Sequence, residues 1–115
     1  ETYKTYLPRY NNNFRYLIEY TNMINSAFIF GVDELKVGEE LAKQALNISQ
    51  LYPHPFWMLA VNLYYQGRLE EALQYAKLGY DLDPTIEESK KIYETIEKHS
   101  EFKKTTKQSF FYITI

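Results

Sequence analysis

Residues 56–84, FWMLAVNLYYQGRLEEALQYAKLGYDLDP, read as two amphipathic helices joined at Gln66-Gly67-Arg68 and halted at Leu82-Asp83-Pro84. Glycine takes the positive φ that closes a helix, and proline cannot continue one. A single hairpin of this kind cannot bury its apolar face alone, so neighbours have to stack on it. That requirement limits the chain to an all-α arrangement of packed helical hairpins.

The rest of the sequence supplies the neighbours. Apolar residues recur at helical spacing from Phe14 to Phe30 (Leu17, Ile18, Tyr20, Ile24, Ala27, Phe28), and Gly31 ends the run. Asp33 is the expected N-cap of a second helix, with Lys36 standing where a capping box would place Glu. That helix, ELKVGEELAKQALNISQLY, turns Leu35, Leu41, Ala42, Ala45, Leu46 and Ile48 inward. Gly38 in its interior costs helix stability and so points to a close helix–helix contact. Pro53 and Pro55 open a third helix that reaches Gln66, since proline is tolerated in a first helical turn. In the fourth helix Glu70 and Glu71 sit at the positive end of the macrodipole.

Thr85 and Glu88 have the spacing of a capping box for a fifth helix. Its apolar residues, Ile86, Ile92, Tyr93, Ile96 and Phe102, form a narrow stripe opposite Glu and Lys. A helix wet on one side belongs at the end of a stack. The last residues, TTKQSFFYITI, are β-branched and aromatic, which favours an extended segment. No partner strand is evident. The tail is expected to lie along a groove, pair with another chain, or continue into further sequence. The N-terminal residues are polar and Tyr-rich, and Pro8 with Asn11–Asn13 argues against one continuous helix there. The expected organisation is therefore a polar segment 1–12, a hairpin 13–52, a second hairpin 53–84, a capping helix 85–103 and an extended apolar tail 104–115.

Composition removes several function classes. The 115 residues carry a net charge of −2 and no Lys/Arg run longer than two, so the basic stripe of a nucleic-acid module is missing. The apolar runs are short and interrupted, too short to cross a bilayer. With no cysteine, thiolate catalysis, disulfides and cysteine-based zinc sites are excluded. The chain begins at Glu1 and reads as an excised fragment or processed product. Its compartment is open between cytoplasm and periplasm, and its Asn, Lys, Tyr and Ile content points to a bacterial source. Aromatic residues reach 17%, with 12 Tyr. Tyrosine buries a ring while keeping a polar tip, so these residues serve either helix packing or an interface.

A repeat underlies the two hairpins. At an offset of 34, Ala76 falls on Ala42, Lys77 on Lys43 and Leu82 on Ile48. Residues 53–86 resemble a tetratricopeptide repeat. The family pattern is met by Phe56/Trp57, Leu59-Ala60, Leu63/Tyr64 and Gly67, then by Ala72, Ala76, Gly79 and the closing Pro84. Residues 19–52 resemble a degenerate copy, with Ser26 in the place of Ala60, Gly38 of Ala72 and Ala45 of Gly79. Gln50 replaces the closing proline, and the turn glycine is displaced to Gly31. The resemblance implies a superhelix of about two helix–turn–helix repeats plus a C-terminal capping helix.

It also implies a site. In this family the first helix of each repeat lines a concave groove, here His54, Trp57, Val61, Tyr64 and Tyr65, with Tyr20, Met23, Ala27 and Phe30 from the degenerate copy. Some members hold a peptide carboxylate with Lys, Arg and Asn, but Trp57, Met58 and Val61 stand at those positions. The expected function is a protein–protein interaction module that docks a protein or peptide segment in an aromatic groove. The alternative is a structural or oligomerisation appendage of a larger protein, its groove filled by its own termini or by a second copy as a homodimer.

An enzyme is not expected. His54 and His99 have no nucleophile or oxyanion donor placed beside them by the pattern. Asp81 and Asp83 lack an oxygen-rich calcium loop. Glu39/Glu40, Glu70/Glu71 and Glu87/Glu88 read as helix-start or solvated charges, and Asn47-Ile48-Ser49 as a chance glycosylation sequon within a helix. No metal, cofactor, nucleic acid or direct membrane insertion is expected.

Overall fold

The computed structural model describes the backbone of residues 14–114 and the side chains of residues 14–104; the polar segment 1–12 lies outside the described residues. The chain is all-helical there, with no strand among the described residues. Five helices follow in order: α1 (Phe14–Ile29), α2 (Leu35–Ile48), α3 (His54–Tyr65), α4 (Leu69–Leu82) and α5 (Glu87–Thr114). Each packs on the next, and α3 also meets α1 and α5.

The helix ends follow from the residues at them. Gly31 (φ +92°) and Gly67 (φ +81°) hold the left-handed conformation that only glycine adopts without strain. Both close a Schellman motif. Gly31 N donates to Phe28 O (3.0 Å) and Val32 N to Ala27 O (3.1 Å), and Gly67 N donates to Tyr64 O (3.0 Å) and Arg68 N to Leu63 O (2.9 Å). The two caps stand 36 positions apart, whereas α2 and α4, each of 14 residues, start 34 apart. The difference is taken up by the connections, 30–34 after α1 and 66–68 after α3. This corrects the register expected for α1. Matching the caps sets Ile24, 2% exposed, against Ala60, while Ser26 is exposed.

The second helices keep the expected register. Gly38, Ala42 and Ala45 of α2 are buried, as are Ala72, Ala76 and Gly79 of α4. Small residues bring the helices close: a Cβ on Gly79 would lie 3.1 Å from Phe56 Cβ and 3.3 Å from Pro53 O. The larger core cluster joins Ala42 and Leu46 to Phe56, Leu59, Leu63 and Ala76, closed by Ile96 of α5. The smaller cluster joins Leu17 and Ile24 of α1 to Leu41 and Ala45 of α2. Full burial of a Leu such as Leu59 or Leu63 contributes about 2 kcal/mol.

Five further expectations are corrected. Ile48 is 47% exposed rather than inward, because it belongs to the last turn of α2, where the chain leaves the stack. Asp33 caps from one residue further out: Glu34 holds the N-cap position, and the Asp33 carboxylate accepts from Leu35 N (3.3 Å). The capping box at Thr85 does not form. Instead Asp83 Oδ1 accepts from the Thr85 N–H (3.0 Å) and hydroxyl, an Asx turn, and α5 begins two residues later. Finally, the tail is helical to Thr114, not extended. A strand without a partner leaves its backbone unpaired, whereas extending an existing helix satisfies each added N–H. Phe102, expected in the apolar stripe, is 69% exposed.

Candidate functional site

Helices α1, α3 and α5 form one face, and two clefts run along it. The first, ≈ 130 Å³, lies between α1 and α3, with Asn22, Asn25, Ser26 and Ile29 on one wall and Trp57, Met58, Val61 and Tyr65 on the other. The second, ≈ 200 Å³, lies between α3 and α5 and is lined by Val61, Tyr64, Tyr65, Lys91, Ile92, Thr95 and Ile96. Val61 and Tyr65 belong to both, so the clefts adjoin across α3. A third hollow at the turn end is lined by Phe28, Asp33, Leu35, Lys36, Tyr65 and Gln66.

Of the eight site residues expected from sequence, four line these clefts: Trp57, Val61, Tyr64 and Tyr65. Their spacing of three or four residues puts them on one helical face. His54 is exposed at the start of α3, its ring 5.7 Å from that of Trp57. Tyr20 stacks on Tyr16 at 5.8 Å and packs against the smaller core cluster. Met23, 39% exposed, and Phe30, 86% exposed, line none of the three hollows. Phe30 lies past the last residue of α1, where the Schellman turn carries it away.

The rings on this face are held in place. Tyr65 stacks on Phe28 of α1 with centroids 5.1 Å apart. Tyr64 shares a 2.7 Å hydrogen bond with His99 Nδ1 and meets that ring edge-on at 5.4 Å. His99 is therefore a mid-helix residue tying α5 to α3. Trp57 Nε1 is shut off from solvent without a hydrogen-bond partner, as is Ser89 Oγ.

A polar network behind the face fixes how α1, α2 and α3 meet. Asn62 is fully buried and Asn25 nearly so. Asn62 Nδ2 donates to Asn25 Oδ1 (3.0 Å) and Leu35 O (2.9 Å), and Asn25 Nδ2 donates to Met58 O (3.0 Å). Gln66 Nε2 links Asn62 Oδ1 (2.7 Å) to Glu39 Oε1 (3.1 Å). Arg68 Nη1 donates to the same Glu39 oxygen (2.8 Å) while its other nitrogens grip Glu71, and Lys43 Nζ meets Glu39 Oε2 at 2.8 Å. Glu39, read above as solvated, is 5% exposed. Burial acts to raise its pKa, but hydrogen bonds from Lys43, Gln66 and Arg68 and the charge of Lys43 outweigh it, bringing it from 4.5 down to about 2. Arg68 is held well above its ordinary value by its bonds to Glu71 and Glu39. Nothing in the apolar periodicity marks this network. The only sign was the polar Asn25 and Asn62 sitting among apolar residues at core-facing positions.

Among the described residues, no group of three or more His, Asp or Glu could hold a metal ion, and no helix is long and apolar enough to cross a membrane. No family model matches the chain, and no curated protein matches it.

Proposed function

We propose that this chain is a tetratricopeptide-like repeat module, without catalytic role, cofactor or metal, that docks a segment of a partner protein along the α1–α3–α5 face. The observation that carries the reading is the pair of adjoining clefts, walled by Trp57, Val61, Tyr64 and Tyr65 and continuous across α3. Buried aromatic anchors commonly dominate such interfaces. Support for the repeat family comes from the like Schellman caps and from the matched small residues of α2 and α4.

The test is capture from a lysate of the source organism by the immobilised chain and by its Trp57→Ala/Tyr65→Ala variant, with helicity of both checked by circular dichroism. The captured protein is then purified and titrated against both. Loss of its binding in the folded variant supports docking on this face; equal binding to both overturns it.

A second reading, an oligomerisation appendage of a larger protein, is favoured by the length of α5. Its 28 residues span about 42 Å, against about 18 Å for the 12 residues of α3. Ser100 is its last buried described residue, and residues 101–104 after it are exposed. Light scattering of the whole chain and of a chain ending at residue 104 tests this. A dimer that becomes monomeric on truncation supports assembly; a monomer in both cases removes it.

A further inference from the structure

We propose that residues 103–113 of α5 adsorb to an anionic lipid surface, with Lys103, Lys104 and Lys107 at the headgroups and residues 110–113 seated in the interface. The inference goes beyond the docking face, whose clefts take no residue of α5 past Ile96.

The charges of the chain are divided. Residues 102–115 hold three Lys and no Asp or Glu, whereas residues 1–101 hold ten Lys or Arg and 15 Asp or Glu, a net −5. The acid nearest these lysines along the chain is Glu101, one turn before Lys104, and counting it leaves residues 101–115 at +2. Lys103 and Lys104 are exposed, and neither has a carboxylate within 4 Å among the described residues.

The register of α5 shows where its packing role stops. The stripe that faces the stack runs through Ser89, Ile92, Ile96 and Ser100, at intervals of three and four. The same register continues to Lys103 and Lys107. Lysine is almost never fully buried, and Lys103 is exposed, so the stripe no longer packs there although the helical backbone runs on to Thr114. Phe110, Phe111, Tyr112 and Ile113 then follow one another. Consecutive residues sit about 100° apart, so these four take up every side of the helix. A turn that is apolar all round has no face suited to water.

Lysines followed by such a turn match the two layers of a bilayer surface. Along the axis Lys107 stands about 5 Å from Phe110 and Lys103 about 10 Å, so all three charges meet the headgroup layer when the apolar turn lies at its inner boundary. Aromatic rings favour that boundary, and basic residues are drawn to anionic lipid. A second copy fits less well, since it brings three more lysines and a single Glu over the same stretch. No helix among the described residues is long and apolar enough to cross a membrane, so the contact is with one surface.

The experiment floats the whole chain with vesicles of phosphatidylcholine alone and of phosphatidylcholine with 30% phosphatidylserine. Three lysines near such a surface supply a preference of about a hundredfold, part of which the acidic body takes back. At 50 mM salt at least tenfold stronger binding to the anionic vesicles is expected. It should fall severalfold at 500 mM salt, where the Debye length is about 4 Å. Lys103→Gln/Lys104→Gln/Lys107→Gln should bring binding down to the level on neutral vesicles, and Phe110→Gln/Phe111→Gln should weaken it on both. Circular dichroism and Trp57 emission check that each variant is folded.

Equal binding to the two vesicles, or none to either, overturns the proposal. So does an anionic preference that survives in the folded lysine variant. A chain that is dimeric without lipid, is made monomeric by the phenylalanine variant and ignores vesicles assigns the segment to a second copy instead. The capture experiment for the docking face uses no lipid, so its outcome is separate.

Discussion

Gly38 and Asn62 stand so close that a Cβ on the glycine would come within 2.7 Å of the asparagine Nδ2, and within 3.0 Å of Ile24 Cγ2. The glycine that weakens α2 as an isolated helix is what lets the buried amide reach Leu35 O and Asn25 Oδ1.

Gly38→Ala tests that trade. Helix propensity alone favours alanine by about 1 kcal/mol. The clash has to displace Asn62 from two buried hydrogen bonds, which costs more, so a net loss of about 1–3 kcal/mol is expected in urea denaturation. Gly67→Ala makes the contrast: it has open space around its Cβ but a φ of +81°, so its cost of about 1 kcal/mol comes from the backbone alone.

Asn62→Leu leaves Asn25 Oδ1 and Leu35 O without their donor in a dry interior. A loss of about 2–4 kcal/mol is expected. Adding Asn25→Leu removes the other half of the pair, so the double variant should lose less than the sum of the singles. Additivity within about 0.5 kcal/mol would show that the two amides are not energetically coupled.

Glu39 links stability to pH. Its folded pKa of about 2 lies below the ordinary 4.5, so the folded state binds the proton more weakly than the unfolded chain. The contribution is complete above pH 4.5 and is lost as pH falls towards 2. At most it amounts to about 3 kcal/mol, less where Lys43 and Arg68 are reached by solvent. Glu39→Gln should flatten this acid limb of the stability curve while lowering stability at pH 7. An unchanged acid slope in the variant would assign the limb to other carboxylates.

The Tyr64–His99 bond is on the surface and should be modest. A double-mutant cycle of Tyr64→Phe and His99→Ala is expected to give a coupling energy of about 0.5–1 kcal/mol by thermal denaturation. A coupling near zero would mean that α5 is held to α3 by Ile92 and Ile96 alone.

Much of this fold was legible because local chemistry and tertiary packing agree. Gly31, Gly67 and Pro84 mark helix ends wherever they occur, and Ala72, Ala76 and Gly79 repeat the buried small positions of α2. Four of the eight expected site residues line the clefts for the same reason: they share one face of a helix whose ends were fixed by Pro53 and Gly67. What stayed hidden depends on partners far along the chain. Asn62 reaches residues 37 and 27 positions away, and His99 meets Tyr64 at 35, contacts that no helical period encodes. Phe30 and Ile48 fit an apolar pattern but lie where their helices end, so pattern and burial part company. The tail followed side-chain preference to a strand, whereas the backbone had only a helix to join.

The position of α3 has one more consequence. It packs against α1, α2, α4 and α5. In a long repeat array each unit touches only its neighbours, and melting can begin at one end and stop partway. Here no helix pair can leave without exposing a side of α3, and both core clusters draw on α2, which α3 also holds. With only five helices gathered on α3, a chain built like a section of a repeat array is expected to unfold like a small globular domain, in a single step, with coincident thermal transitions in helicity and in Trp57 emission.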